Sequence, residues 1–175
     1  MKTNKIFFLP VLVIIFALSI FGQSNTNVKN KTIMKKDDIL KSLGRPVYAS
    51  TKDSLNTKVW IISQTRNREI MKTKIVKMKD NSAPMDKETK EEMMAGSYFI
   101  ILDVTNISSG KEFADTSAKV EVVSPTQKLS SANFIPMLSY FGAGVSITEK
   151  GDYLFTININ IGMGYRTTQF KYTLK

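Results

Sequence analysis

The chain contains neither cysteine nor histidine among its 175 residues. Without thiols there are no disulfides, no thiolate nucleophiles and no cysteine-ligated zinc or iron–sulfur centres. Without imidazole the Ser-His-Asp and Cys-His arrangements are excluded, as are the H-E-x-x-H motif and the usual nitrogen ligands of Cu(II) and Zn(II). Tryptophan occurs once, and glycine (9) and proline (5) are too few for a collagen-like or low-complexity chain. Long apolar runs are also scarce: the single one extends from Ile6 to Phe21. With 42% hydrophobic and 23% charged residues, what remains is the composition of one globular domain that is held together by its core.

The apolar run is itself informative. Lys2 and Lys5 precede it, Pro10 interrupts it, and the small residues Ser19 and Gly22 close it ahead of the polar Gln23-Ser24-Asn25-Thr26-Asn27. A basic start, a short apolar middle and a small-residue end define a cleavable secretory signal, and 16 residues fall short of the ~20 needed to span a bilayer. Residues 1–22 are therefore expected to be a signal peptide, leaving a periplasmic or secreted chain with no transmembrane segment after cleavage.

Charge is unevenly distributed. Residues 23–79 carry 14 Lys/Arg against 4 Asp/Glu, whereas residues 80–175 carry 9 against 11. The 29–79 segment offers contact with an anionic surface, but it lacks the interleaved aromatics of a nucleic-acid site, so no nucleic-acid partner is expected. Residues 23–56 read as a polar basic linker with one short helix, Asp37 to Leu43, stopped by Gly44. Residues 57–175 read as the folded domain.

Within that domain the hydrophobic period changes. Val59-Trp60-Ile61-Ile62 has the β-branched and aromatic character of a buried strand. Residues 70–78 fit neither period and lean towards an extended or mixed conformation. Asp86 followed by Lys87 to Met94 and Gly96 predicts a capped helix. After it the period becomes 2: Tyr98, Ile100, Leu102 and Val104; then Val120 and Val122; then Tyr153, Phe155, Ile157, Ile159 and Ile161, leading into Phe170, Tyr172 and Leu174. With the weaker runs 128–137 and 145–148, this predicts an all-β fold: an immunoglobulin-like antiparallel β-sandwich of about seven strands, with a short helix before the first long strand. Each sheet should be dry inside and wet outside. Gly142-Ala143-Gly144 and Gly162-Met163-Gly164 lack phosphate-loop context and read as turns.

The order of Gly110-Lys111, Pro125-x-x-Lys128, Pro136-Met137, Tyr140-Phe141-Gly142-Ala143 and Lys150-Gly151-Asp152-Tyr153 resembles that of YtkA-like and FixH-like periplasmic β-sandwich domains. The resemblance covers about residues 93–175 and, more loosely, the chain from Val59. It is similar in turn to periplasmic iron and copper uptake accessory proteins, and it implies copper bound by His and Met at one end of the sandwich. This chain departs from that pattern, having Tyr98-Phe99 where relatives carry a His pair and Tyr140 near a further His.

Methionine is the donor that survives. Thioether sulfur is soft, neutral and suited to Cu(I), and the resemblance would bring Met93, Met94 and Met137 to one end of the fold as its ligands. Methionine also fills irregular cores, and there is no M-x-M or M-x-x-M repeat. Asp103, Asp115 and Glu121 sit on strand-like or turn segments as candidate carboxylates, but alternate strand positions usually face solvent. Ser108-Ser109-Gly110-Lys111 has the letters of a Ser–Lys motif inside a turn.

The sequence therefore predicts a non-catalytic exported binding module. It acts either in periplasmic copper handling with Cu(I) as its ligand, or, having lost metal, as an interaction module for another periplasmic or envelope protein. In the second reading Tyr98, Phe99, Phe134, Tyr140 and Phe141 form an apolar end patch.

Overall fold

Alternating apolar residues need an opposing surface, and here two sheets supply it to each other. The computed structural model describes residues 36–73, 86–107, 116–137, 140–162 and 164–175. Its elements in chain order are α1 (Lys36–Ser42), β1 (Tyr48–Lys52), β2 (Leu55–Ser63), α2 (Gln64–Thr73), α3 (Lys87–Met93), β3 (Tyr98–Asn106), β4 (Ser117–Val123), β5 (Leu129–Asn133), β6 (Ile135–Pro136), β7 (Phe141–Val145), β8 (Gly151–Asn160) and β9 (Tyr165–Leu174). One sheet has the order β1-β2-β3-β7-β6 and the other β5-β4-β8-β9. All pairings are antiparallel, so the fold is an all-β sandwich.

The inner core is the one the period predicts. Tyr153, Phe155, Ile157 and Ile159 of β8 and Val120 and Val122 of β4 are buried against Val59, Ile100, Leu102 and Val104 of the opposite sheet. Where edge strands β1 and β9 come together the rings form a column. Tyr48 stacks on Phe170 (5.0 Å between centroids), Phe170 on Phe155 (5.2 Å), and Tyr172 meets Phe155 edge-on (6.2 Å). Tyr153 ties the start of β8 back to the chain: its hydroxyl accepts from the Glu149 amide (2.8 Å) and donates to the Glu149 carbonyl (2.9 Å). Such a tyrosine corner is familiar in immunoglobulin-like sandwiches. At the edge, the Tyr48 hydroxyl meets that of Thr168 at 2.6 Å and links the two sheets.

Four expectations are corrected. The two sheets hold nine strands among the described residues: β1 is added, the 128–137 run divides into β5 and β6, and the strand expected at 145–148 lies earlier, as β7. Gly142-Ala143-Gly144 lies in β7 and is not a turn. Residues 70–73 continue the helix α2, whose buried Gln64, Asn67 and Ile70 recur every third position and form one face; residues 74–78 lie outside the described part. The first sheet is dry on both faces, since Trp60, Phe99 and Ile101 are buried on its outer side as well. A strand buried on both sides reads as a continuous apolar run, as Phe99-Ile100-Ile101-Leu102 does.

Strand β1 and the buried Ile39 of α1 fall inside the 23–56 stretch read as a linker. Residues 1–22, read from the sequence as a signal peptide, and the residues after them to 35 lie outside the described part. No helix among the described residues is long and apolar enough to cross a membrane.

Candidate functional site

The outer face of the first sheet is covered by α1, α3 and the segment from β6 to β7. Beneath this cover lies a second core of Ile39, Trp60, Met93, Phe99, Ile101 and Tyr140, with Leu40, Leu43, Ile62, Met94, Ile135 and Met137 packed against it. The three methionines singled out from the sequence thus share one apolar cluster.

Each is positioned by identifiable contacts. Helix α3 begins at Asp86, whose carboxylate accepts from the Thr89 amide (2.8 Å) and from the Thr89 hydroxyl (2.8 Å). These bonds, the backbone one foremost, hold the Asp86 carboxyl below the usual carboxylate range. A carboxylate with a depressed folded pKa contributes stability above its unfolded pKa and loses it as pH falls through the folded value. The helical chemical shifts of α3 should therefore diminish only as pH falls below the ordinary carboxylate range, and Asp86→Asn should flatten that dependence; NMR against pH checks both.

The C-terminal end of α3 is fixed from the side and from below. The buried Gln64 side chain donates to the carbonyls of Met93 (3.1 Å) and Ala95 (3.2 Å), which the helix leaves without internal partners, while its own oxygen accepts from Asn67 (3.3 Å). Gly96 takes a positive φ of 74°, and its successor Ser97 donates to the Val145 carbonyl at 3.0 Å. Underneath, Gly144 presents bare backbone to α3: a Cβ there would overlap the Ala95 carbonyl oxygen and crowd those of Glu92 and Met93. Gly142 likewise makes room for the Phe99 ring. The two glycines let the helix and the ring lie directly on β7.

Met137 follows β6, and its amide donates to the Tyr140 carbonyl at 2.7 Å. Trp60 donates from its indole nitrogen to the Gly44 carbonyl (3.0 Å), pinning the end of α1 over the cluster. Met93 is only 6% exposed, whereas Met94 and Met137 are half-buried at the rim. Burial pushes the Tyr140 phenol above its ordinary pKa, so the ring stays neutral at physiological pH.

The donors available here are neutral thioethers beside aromatic faces. Among the described residues no group of three or more His, Cys, Asp or Glu could hold a metal ion. Asp103 and Glu121 do not meet: Asp103 lies buried on the outer face of the first sheet, opposite Lys58, and Glu121 sits on the outer face of the second, paired with Lys119 at 3.3 Å. The expectation that such strand carboxylates face solvent is corrected for Asp103. Asp115 and the 108–111 motif lie outside the described residues.

The aromatic set divides in the same way. Phe99 and Tyr140 are buried in the outer cluster, whereas Tyr98, Phe134 and Phe141 belong to the inner core, Phe134 buried and the other two packed against it. Neighbouring residues of one strand point to opposite faces, so Tyr98-Phe99 and Tyr140-Phe141 are split between the two cores. They form no single exposed patch.

Comparison with solved structures finds the same sandwich architecture elsewhere. A copper-bound variant of Campylobacter jejuni P19 superposes with a TM-score of 0.50 at 9% identity, covering 75% of this chain and 97% of that one. The chain shares the β-sandwich fold of P19. FetP of uropathogenic Escherichia coli is similar at a TM-score of 0.46 and 12% identity, covering 74% and 96%. A copper-bound FetP variant gives 0.46 and 13% identity. No family model matches the chain, and no curated protein matches it.

Proposed function

We propose that this protein is a non-catalytic envelope module that binds Cu(I) through Met93, Met94 and Met137 and serves as an accessory in copper handling. The observation that carries the reading is the shared cluster: Met93 belongs to the same group of buried residues as Trp60, Phe99 and Tyr140, and Met94 and Met137 pack against that group. A monovalent soft ion suits such a place. It takes two or three neutral sulfur ligands without imidazole, and its single charge costs less to desolvate than a divalent one. Tyr140, held neutral, contributes walls and not a phenolate. The half-buried Met94 and Met137 give the ion a route from solvent to the buried Met93.

The reading in which aromatic residues dock a partner is less favoured, because Phe99, Phe134 and Tyr140 are already occupied by the fold.

Titration with Cu(I) under reducing conditions, against a competing chelator, tests the proposal. Binding should be stoichiometric, with Kd below about 1 µM, and should quench the emission of Trp60, the only tryptophan. Met93→Leu and the pair Met94→Leu/Met137→Leu conserve apolar volume and should each weaken binding at least about tenfold while the melting temperature holds. Absence of binding, or affinity indifferent to both variants, refutes the assignment.

A further inference from the structure

Among the described residues, the outer face of the β5-β4-β8-β9 sheet carries no covering layer like that of the first sheet. Strand register sets its side chains in rows. Asn133, Lys119, Asn158 and Thr167 stand side by side across all four strands, and Ser117, Asn160 and Tyr165 form the next row. The intervening residues, Ala118, Ile157 and Ile159, point inward and are buried, so these rows face out.

Tyr165 is 74% exposed, the most exposed large hydrophobic side chain among the described residues. It lines two clefts at once. One, of about 310 Å³, lies over Lys119, Asn133, Asn158 and Asn160; the other, of about 410 Å³, lies between the sheet edges beside Ser50, Thr57, Arg166 and Gln169. The ring is thus a ridge between two clefts: the larger is lined mainly by polar groups, and the smaller has an apolar floor that includes Ala118 and Phe134, with Lys119 and the asparagines around it.

The hydrogen-bonding capacity of the face is directed outward. Asn158 uses its side-chain oxygen to accept from the Thr167 hydroxyl (2.7 Å), and Asn160 uses its own to accept from the Gly162 amide (3.1 Å). Both amides are therefore oriented by the fold, with their NH₂ groups left to donate to a visitor. Charge around the clefts is balanced: Lys119 on the face pairs with Glu121 at 3.3 Å, and Arg166, beside the larger cleft, lies 3.9 Å from Asp53. A polyanion gains little on such a surface.

We propose that this face binds a neutral oligosaccharide, one pyranose ring stacked on Tyr165 and its neighbours lying in the two clefts. A sugar ring has the matching chemistry. One side is a sheet of C–H groups that packs on an aromatic face, and its rim carries hydroxyls that take donors and acceptors from fixed amides. The site is remote from the methionine cluster, being on the other sheet, and does not depend on copper.

The test is an NMR titration of the full chain with cellohexaose, chitohexaose and, as comparator, a single-stranded oligonucleotide. At least one neutral hexasaccharide should shift the Tyr165, Asn133, Asn158 and Asn160 signals saturably, with little dependence on salt. Tyr165→Ala should weaken binding about tenfold and Tyr165→Phe by less than about twofold, because stacking needs the ring and not the hydroxyl. Asn133→Ala, at an exposed position, should weaken it without lowering the melting temperature. The proposal is overturned if neither hexasaccharide shifts these signals at about 10 mM, if Tyr165→Ala binds as well as the parent, or if only the oligonucleotide binds and salt removes it.

Discussion

Phe155→Ala should cost about 4 kcal/mol, measured as the loss of unfolding free energy in urea. The ring has no solvent exposure and stands where the aromatic column converges, stacked on Phe170 at 8° and met edge-on by Tyr172 at 88°. Removing it opens a cavity that neither sheet can close, because Tyr48 and Phe170 are held in place by their own stack and by the Tyr48–Thr168 hydroxyl contact. Phe155→Leu fills most of the volume and should cost about half as much. Against the ~5–15 kcal/mol that a domain of this size commands, the alanine variant approaches the limit of foldability. A loss below about 1 kcal/mol would mean that neighbouring side chains close over the gap.

Gly144→Val should produce the second large effect, and it should act on the outer layer. The obstacle is not backbone conformation but proximity: the new side chain would be driven into the carbonyl oxygens of Ala95, Glu92 and Met93, which belong to backbone and cannot rotate away. A cost of about 3 kcal/mol is expected, at the upper end for overpacking. Because the relief available is to lift α3 off β7, Met93 and Met94 should move with it, and the Cu(I) affinity of whatever remains folded should fall together with stability. Gly162→Ala provides the contrast. Nothing lies within 4 Å of its Cβ position, and only the positive φ of 74° opposes the change, so about 1 kcal/mol and unchanged copper binding are expected. Chelator competition and urea unfolding on the two variants separate these outcomes.

The parts of the fold that were legible in the sequence are those whose causes are local. The period-2 pattern from Tyr153 to Ile161 became β8, and the Asp86 cap with the Gly96 stop delimited α3. The parts that were not legible have distant causes. Strand β7 was hidden because Phe141-Gly142-Ala143-Gly144 has the composition of a turn, and its glycines answer to Phe99 and to the end of α3, each tens of residues away. Helix α2 was hidden because its buried face is made by Gln64 and Asn67, polar residues that earn their burial by binding each other and the end of α3. The second core had a visible sign, the unbroken runs Val59 to Ile62 and Phe99 to Leu102, which alternation alone cannot explain. For the candidate site, sequence named the three methionines that share the outer cluster but did not foresee Trp60 among them. The aromatic pairs it grouped as one patch are divided, since adjacent strand residues face opposite ways.

The double-sided burial of the first sheet also determines what spectroscopy can report. The only tryptophan lies in the outer layer, whereas the aromatic column between the sheets is made of tyrosine and phenylalanine. Indole emission therefore reads the attachment of α1 and α3, and far-ultraviolet circular dichroism reads chiefly the strands. If the helical cover opens as a cooperative unit of its own, emission changes at lower denaturant than ellipticity does, and amide exchange in α3 outpaces that in β8. Coincident curves would instead make cover and sandwich one folding unit, joined through the bare backbone of Gly144.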